Sequence, residues 1–331
     1  MSNSVKIRTF PLFLLLILIL ITRIISVQAN PPLDITVKTD KQQYYAKDTV
    51  HIYGNLTLDE VLVTDGLVGL QIQTSQDRLL TIRTLSTGKP PPETPYVFIE
   101  YVAPCDPNGN PIFTFKRGAL AYFKISIVNL DVEPREALMT INIYYCDNTP
   151  FGFASIQTTI SAQSNPTYII SIPIPVDAMI GTATAYANAY TDWPKLLGTP
   201  YCSEVNATFQ ITEATSLTKQ AAQTLPPTIQ QTSEISNYNT TLRLAKNVPP
   251  GNNYTIYVTS RYLGESTFKS VTFQVLILGD IDGDNDIDYW DAYLFRQAYI
   301  YEYNPKADLD FNGVIDYRDA SIFRQNYLTY I

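Results

Sequence analysis

The sequence predicts a mainly β protein that ends in a small helical module, on three observations. Short runs of alternating apolar and polar residues recur from Leu33 to Leu278, each closed by Pro, Gly, Asn or Asp. The chain holds 24 Tyr and 22 Pro, the first a strand former and the second confined to edges and loops. After Leu278 the alternation stops, and two copies of a loop-then-helix unit follow at a constant offset of 28 residues.

Lys6 and Arg8 precede an apolar run from Phe10 to Ile21, broken by Thr22 and Arg23 and followed by the small-residue site Val27-Gln28-Ala29. This is a targeting pattern, so residues 1–29 are expected to be a signal peptide cleaved after Ala29. The alternative is an uncleaved anchor in which Arg23 snorkels, and only through it would a membrane be a partner. A secreted or cell-surface location follows. Sequons at Asn55, Asn206, Asn239 and Asn253, each with Thr two residues on, suit it as candidate glycosylation sites. Cys105, Cys146 and Cys202 match no zinc or redox spacing. One pair is expected to bridge, with Cys105–Cys202 preferred because both lie in proline-containing loops (APCDP, TPYCS).

Between Leu33 and Leu85, LDITVKTD alternates, QQYYAKDT turns, VHIYGNLTL alternates again, and LVGLQIQTS and RLLTIRTLS follow. The stretch TDKQQYYAKDTVHIYG resembles the opening of immunoglobulin-like, macroglobulin-type surface modules, with Ala46-Lys47 where glycine is commoner. GKPPPETPY (88–96) reads as a stiff linker or edge loop. Residues 97–213 supply six further alternating runs at sandwich spacing and also look immunoglobulin-like. Residues 214–235 are polar and Thr/Gln/Ser-rich, a linker.

Three more runs, TTLRLAKN, NNYTIYVTSRY and FKSVTFQVLIL, lie between Asn239 and Leu278. The first stretch offers about four strands against the roughly seven of such a sandwich, which leaves an apolar face half covered. The expectation is therefore a discontinuous first domain, 33–96 with 236–278, and a second domain, 97–213, inserted into it and projecting away. The alternative is a separate small third β unit.

The repeat at the C-terminus carries the chemistry. Copy one runs DIDGDNDIDYWDAYLFRQAY from Asp280, and copy two runs DLDFNGVIDYRDASIFRQNY from Asp308. Oxygen ligands at loop positions 1, 3, 5 and 12, a carbonyl at 7 and a water-linked group at 9 wrap a calcium ion. Copy one offers Asp280, Asp282, Asp284, the carbonyl of Asp286, Asp288 and Asp291. Copy two offers Asp308, Asp310, Asn312, the carbonyl of Val314, Asp316 and Asp319. Gly313 holds position 6, where the turn needs a positive φ; copy one has Asn285 there. Two calcium ions are expected, with the second loop the tighter. The competing reading is a pair of acidic surface turns. Leu294, Phe295, Ala298 and Tyr299, repeated as Ile322, Phe323 and Tyr327, fall on one helical face and form a candidate core.

Position 12 is Asp and a strand precedes the first loop, so each unit is loop-then-helix. In this, residues 279–331 resemble the type I dockerin. The resemblance implies a calcium-folded module that docks to a cohesin-type domain on another protein. It also implies that loop positions 10 and 11, Tyr289 and Trp290 with Tyr317 and Arg318, face that partner.

A net charge of −8 argues against nucleic acid or an anionic membrane surface as partner. The single histidine, His51, lies in a strand pattern, and no nucleophile constellation, phosphate loop or zinc spacing occurs. The expectation is a non-catalytic assembly protein. The alternative is a carbohydrate- or surface-binding adhesin-like protein, or an accessory subunit of polysaccharide degradation. In that alternative Tyr186, Tyr190 and Trp193 would stack on sugar rings.

Overall fold

The computed structural model describes residues 33–89, 91, 95–213 and 236–330. The expected signal peptide and the 214–235 linker lie outside the described residues. The chain is mainly β. Its first stretch forms β1 (Leu33–Ile35), β2 (Lys38–Thr39), β3 (Gln43–Tyr45), β4 (Thr49–Gly54), β5 (Leu56–Leu58), β6 (Val61–Leu62), β7 (Leu67–Gln73) and β8 (Leu79–Ser86). The middle stretch forms β9 (Val97–Cys105), β10 (Thr114–Lys116), β11 (Leu120–Asn129), β12 (Arg135–Tyr145), β13 (Pro150–Ile160), β14 (Thr167–Pro173), β15 (Gly181–Tyr190) and β16 (Val205–Thr212). Then come β17 (Tyr238–Arg243), β18 (Gly251–Tyr262) and β19 (Glu265–Leu276), and two helices, α1 (Tyr289–Ile300) and α2 (Tyr317–Tyr330). No helix among the described residues is long and apolar enough to cross a membrane.

The last three strands complete the first stretch. β17 pairs antiparallel with β4, from Tyr238 opposite Gly54 to Arg243 opposite Thr49. β18 pairs antiparallel with β7, and β19 runs parallel to β3. The result is a five-stranded sheet, β3-β19-β18-β7-β8, with two three-stranded sheets, β17-β4-β2 and β1-β5-β6. One core gathers Ile35, Ile52, Leu70 and Ile72 from the early strands with Tyr238, Ile256, Val258 and Phe273 from the late ones. β4 shows how alternation builds it: Val50, Ile52 and Gly54 point inward, while His51 and Tyr53 stay half-exposed. At Gly54 a Cβ would sit 1.9 Å from the Thr36 carbonyl oxygen, which also accepts the Tyr238 hydroxyl, so no side chain fits there.

The turn expected at QQYYAKDT contains strand β3, and LDITVKTD is divided between β1 and β2. Alternation alone did not separate these pieces, because β1 and β2 pair with different sheets.

The middle stretch sets a five-stranded sheet, β10-β16-β15-β12-β13, on a three-stranded one, β14-β11-β9. Its core holds Phe123, Ile125, Ile127, Ile141, Ile143 and Phe209, with Phe209 edge-on to Phe115 and Phe123 at 5.5 and 5.4 Å. The two units share a device. In each, a short early strand pairs parallel with the unit's last strand: β3 with β19, and β10 with β16. Two residues past each short strand the backbone turns with φ 73°, at Lys47 and at Gly118.

The units are fastened face to edge. β8 is the edge of its sheet, and such an edge offers unpaired backbone groups. Asn142 on β12 covers it, accepting from Ile82 N at 3.0 Å and donating to Ile82 O at 2.6 Å. The Tyr190 hydroxyl is held between Thr84 and the Arg83 carbonyl. Arg83 donates twice to Glu204, at 2.8 and 2.5 Å, and lies 3.6 Å over the Tyr186 ring. Burial works against the Arg83 charge, but the Glu204 carboxylate outweighs it and raises the guanidinium pKa. Ile82, Leu138 and Tyr190 form a small apolar cluster in the same seam. The inserted unit therefore does not project away freely.

The preferred cysteine pair is also corrected: Cys105, Cys146 and Cys202 are all free thiols. Cys202 is buried against the backbone of Ile99 and Ala189, while Cys105 lies six residues beyond Ile99 along β9. Six strand residues span about 20 Å, far more than a disulfide bridges.

Candidate metal centre

The two C-terminal loops fold through largely the same hydrogen bonds, differing in some of the donors to the first carboxylate, Asp280 or Asp308. Asp291 is fully buried, and its Oδ1 accepts from Ile281 N at 2.6 Å and Asp282 N at 3.2 Å, while Oδ2 accepts from Asp288 N at 2.9 Å. Asp319, equally buried, accepts from Leu309 N at 2.6 Å, Asp310 N at 3.1 Å and Asp316 N at 2.8 Å. Asp280 closes its loop by accepting from Asn285 N at 2.9 Å, and Asp308 by accepting from Gly313 N at 2.7 Å. Asp288 caps α1 through Trp290 N at 2.6 Å, and Asp316 bonds Arg318 N at 2.7 Å at the start of α2. Position 6 is left-handed in both loops, with φ 75° at Asn285 and 87° at Gly313.

A small core supports the loops: Ile281, Ile287, Phe295, Ala298, Ala307, Leu309 and Phe323, joined by Ile277 just past the end of β19. Phe295 and Phe323, equivalent positions in the repeat, stack at 4.8 Å. Each copy thus covers the other's apolar face. The module also meets the first β unit, where Phe311 lies 5.6 Å from Tyr45 at the end of β3, and Asn326 donates to Leu278 O at 2.7 Å.

The donor set is chemically suited to a hard cation. Carboxylate oxygens of Asp280, Asp282 and Asp284 lie within 4.8 Å of one another, as do those of Asp286, Asp288 and Asp291, and those of Asp308, Asp310 and Asp319. All are oxygen donors, with no sulfur or imidazole, a set that suits hard cations such as calcium, magnesium or manganese better than zinc or copper. Desolvation and then the neighbouring carboxylates raise the pKa of Asp282 and of Asp286. Asp308 goes the other way: desolvation pushes it up, but bonds from Gly313, Tyr303 and Asn312 outweigh that and hold it low. Asn312 and the Val314 carbonyl lie on the second loop as the spacing requires, with Val314 exposed.

The four candidate partner-facing residues are all on the surface: Tyr289, Trp290, Tyr317 and Arg318. Around Trp290 the rings of Tyr289 and Tyr293 stand edge-on at 6.1 and 5.9 Å. Tyr293 was not singled out by the sequence reading, and its counterpart in copy two is Ser321, so the aromatic cluster belongs to one copy only.

The candidate sugar-stacking residues do not form a surface. Tyr190 is fully buried in the seam, Tyr186 lies half-buried under Arg83, and Trp193 packs on Phe153 at 6.1 Å. Alternation along β15 marked one face as distinct without showing that the other unit covers it. Of the sequon asparagines, Asn206, Asn239 and Asn253 are exposed, whereas Asn55 is half-buried and accepts from Asn237 N at 2.9 Å.

Fold and site together define a mainly β protein carrying a paired, oxygen-lined loop module at its C-terminal end. No family model matches the chain, and no curated protein matches it. Among solved structures it is similar to the C-terminal domain of wzt, at 12% identity and TM-score 0.31, over 42% of this chain and 85% of that one. It is similar to a CARDB domain from Pyrococcus furiosus in complex with di-metal ions, at 10% identity and TM-score 0.26, over 36% of this chain and 90% of that one. A glycoside hydrolase family 2 beta-glucuronidase is matched at 7% identity and TM-score 0.28, over 45% of this chain and 21% of that one. Likenesses this distant carry no argument about activity or ligand.

Proposed function

We propose that this chain is a non-catalytic, secreted or cell-surface assembly protein. Its C-terminal module binds two calcium ions and docks to a cohesin-type domain, and the two β units are the cargo displayed. The observation that carries this reading is the repeated hydrogen-bond pattern of the loops. Two all-oxygen loops with the same fold and spacing, mounted on a core too small to hold alone, are the design of a metal-folded module. Asp280, Asp282, Asp284, the Asp286 carbonyl, Asp288 and Asp291 would hold one ion. Asp308, Asp310, Asn312, the Val314 carbonyl, Asp316 and Asp319 would hold the other. Calcium supplies the charge that offsets the crowded carboxylates.

The docking half of the reading is supported by the exposed Tyr289–Trp290–Tyr293 cluster beside loop one, with Tyr317 and Arg318 at the equivalent place beside loop two. Trp, Tyr and Arg are the residues that dominate interface energetics. The test uses the full chain, stripped of metal and titrated with calcium by calorimetry, then passed over a panel of cohesin domains. Uptake of two ions and calcium-dependent capture are expected. In the double variant Trp290→Ala/Arg318→Ala, capture should fall at least about tenfold with calcium affinity kept. Absence of calcium uptake overturns the metal assignment. Unchanged capture by the variant overturns the docking face.

A further inference from the structure

Two residues outside both ligand sets touch the two loops differently. They lie in the segment that joins α1 to loop two, in and just before a single 3-10 turn, Pro305–Ala307, capped by the Asn304 side chain. The Tyr303 hydroxyl donates to Asp308 Oδ2 at 2.9 Å. The Lys306 ammonium donates to the Ile281 carbonyl at 2.9 Å, and lies 3.2 Å from where a Cβ on Gly283 would be. Their repeat counterparts, Val275 and Leu278, belong to β19 and its exit, so loop one has no matching tyrosine and loop two no matching lysine in this role.

We propose that Tyr303 and Lys306 set the rank of the two ion sites, favouring loop two and holding back loop one. The inference rests on the calcium reading above. Asp308 is position 1 of loop two and is buried. Its Oδ2 accepts from both Gly313 N and Tyr303, and its Oδ1 from Asn312 N at 3.1 Å, so the carboxylate is fixed in orientation before an ion arrives. A ligand oriented by an outer donor loses less freedom on binding the metal. Asp280, the equivalent ligand of loop one, accepts from the backbone of Gly283 and Asn285 and has no such hydroxyl.

Lys306 acts by charge. Its ammonium sits beside positions 2 to 4 of the loop that carries six aspartates. There it offsets carboxylate repulsion in the metal-free loop and repels an entering dication, and both effects lower the affinity of loop one. Tyr303 and Lys306 are therefore positioning and rank-setting residues, and neither is a ligand.

The test is calcium calorimetry on the metal-stripped full chain, comparing wild type with Tyr303→Phe, Lys306→Gln and Lys306→Arg, and reading the chelator sensitivity of C-terminal melting alongside. Wild type should take up two ions in two steps. Tyr303→Phe should weaken the tighter step about tenfold and leave the weaker one in place. Lys306→Gln should strengthen the weaker step about threefold or more, with a gain that shrinks in high salt, and Lys306→Arg should restore wild-type behaviour. Wild-type constants in both Tyr303→Phe and Lys306→Gln would overturn the inference while leaving the calcium reading intact. No uptake by wild type would overturn the calcium reading itself.

Discussion

Lys47 is the residue at which this chain departs from its own plan. In the second unit the equivalent turn carries Gly118, and both positions have φ 73°. A lysine there bears the steric cost of the left-handed region, which glycine avoids. Lys47→Gly should therefore stabilise the first unit by about 1 kcal/mol, measured by urea unfolding; its backbone bond from N to the Leu244 carbonyl is unaffected. The cysteines give a second prediction. Only Cys146 is exposed, so a thiol reagent should label one site in the native protein and three after unfolding. Burial pushes the Cys202 thiol from 9.0 up to about 11. Its folded pKa is raised, so its contribution to stability is whole below pH 9.0 and is lost as pH climbs towards about 11. Melting of Cys202→Ala should decline less than wild type across that window.

What was legible at this scale was the clustering of the loop carboxylates, because loop chemistry is local: a fixed count of residues places each oxygen near the next. Tyr303, Lys306 and Tyr293 were not legible. Their roles depend on where a turn or helix face brings them, and no periodicity marks a hydroxyl that will meet Asp308. Tyr190 and Trp193 failed for a related reason: an aromatic face looks the same whether it meets solvent or a neighbouring sheet.

At the level of elements, the edge strand β8 and the face of β12 and β15 form the joint that sets the geometry of the β region. The Arg83–Glu204 pair is nearly buried, with side chains 13% and 16% exposed. Removing one partner strands the other charge. Arg83→Met should cost about 3 kcal/mol and make the two units melt as separate transitions in calorimetry. Survival of a single transition would show that the Asn142 and Tyr190 bonds hold the joint without the ion pair. The pairing of late strands with early ones was suggested by a strand shortage in the sequence. The joint was invisible there, because Arg83, Asn142 and Glu204 are each ordinary polar residues until the fold brings them together.

At the scale of the whole molecule, the described residues form two large cores under the β sheets, a small one under the loops, and the minor apolar cluster in the seam. The large cores bury many apolar side chains of their own, whereas the small one under the loops is surrounded by carboxylates that repel each other unless a cation offsets them. Chelator should abolish or lower the melting of the C-terminal module alone and leave the β-rich transition in place. Near- and far-ultraviolet circular dichroism, followed together on heating, separates the two. A β-rich transition that moves equally with chelator would mean the module and the first unit fold as one.

Strand β19 leads through Ile277 straight into the C-terminal module, so any pull on that module enters the β region along the strand's own axis. It is held by β18 along most of its length and by β3 at its C-terminal end, from Gln274 to Leu276. Tension along a strand shears those bonds together, where tension across it would unzip them one at a time. The module thus hangs from the lengthwise-gripped strand of the sheet, a mounting that resists force applied along that strand.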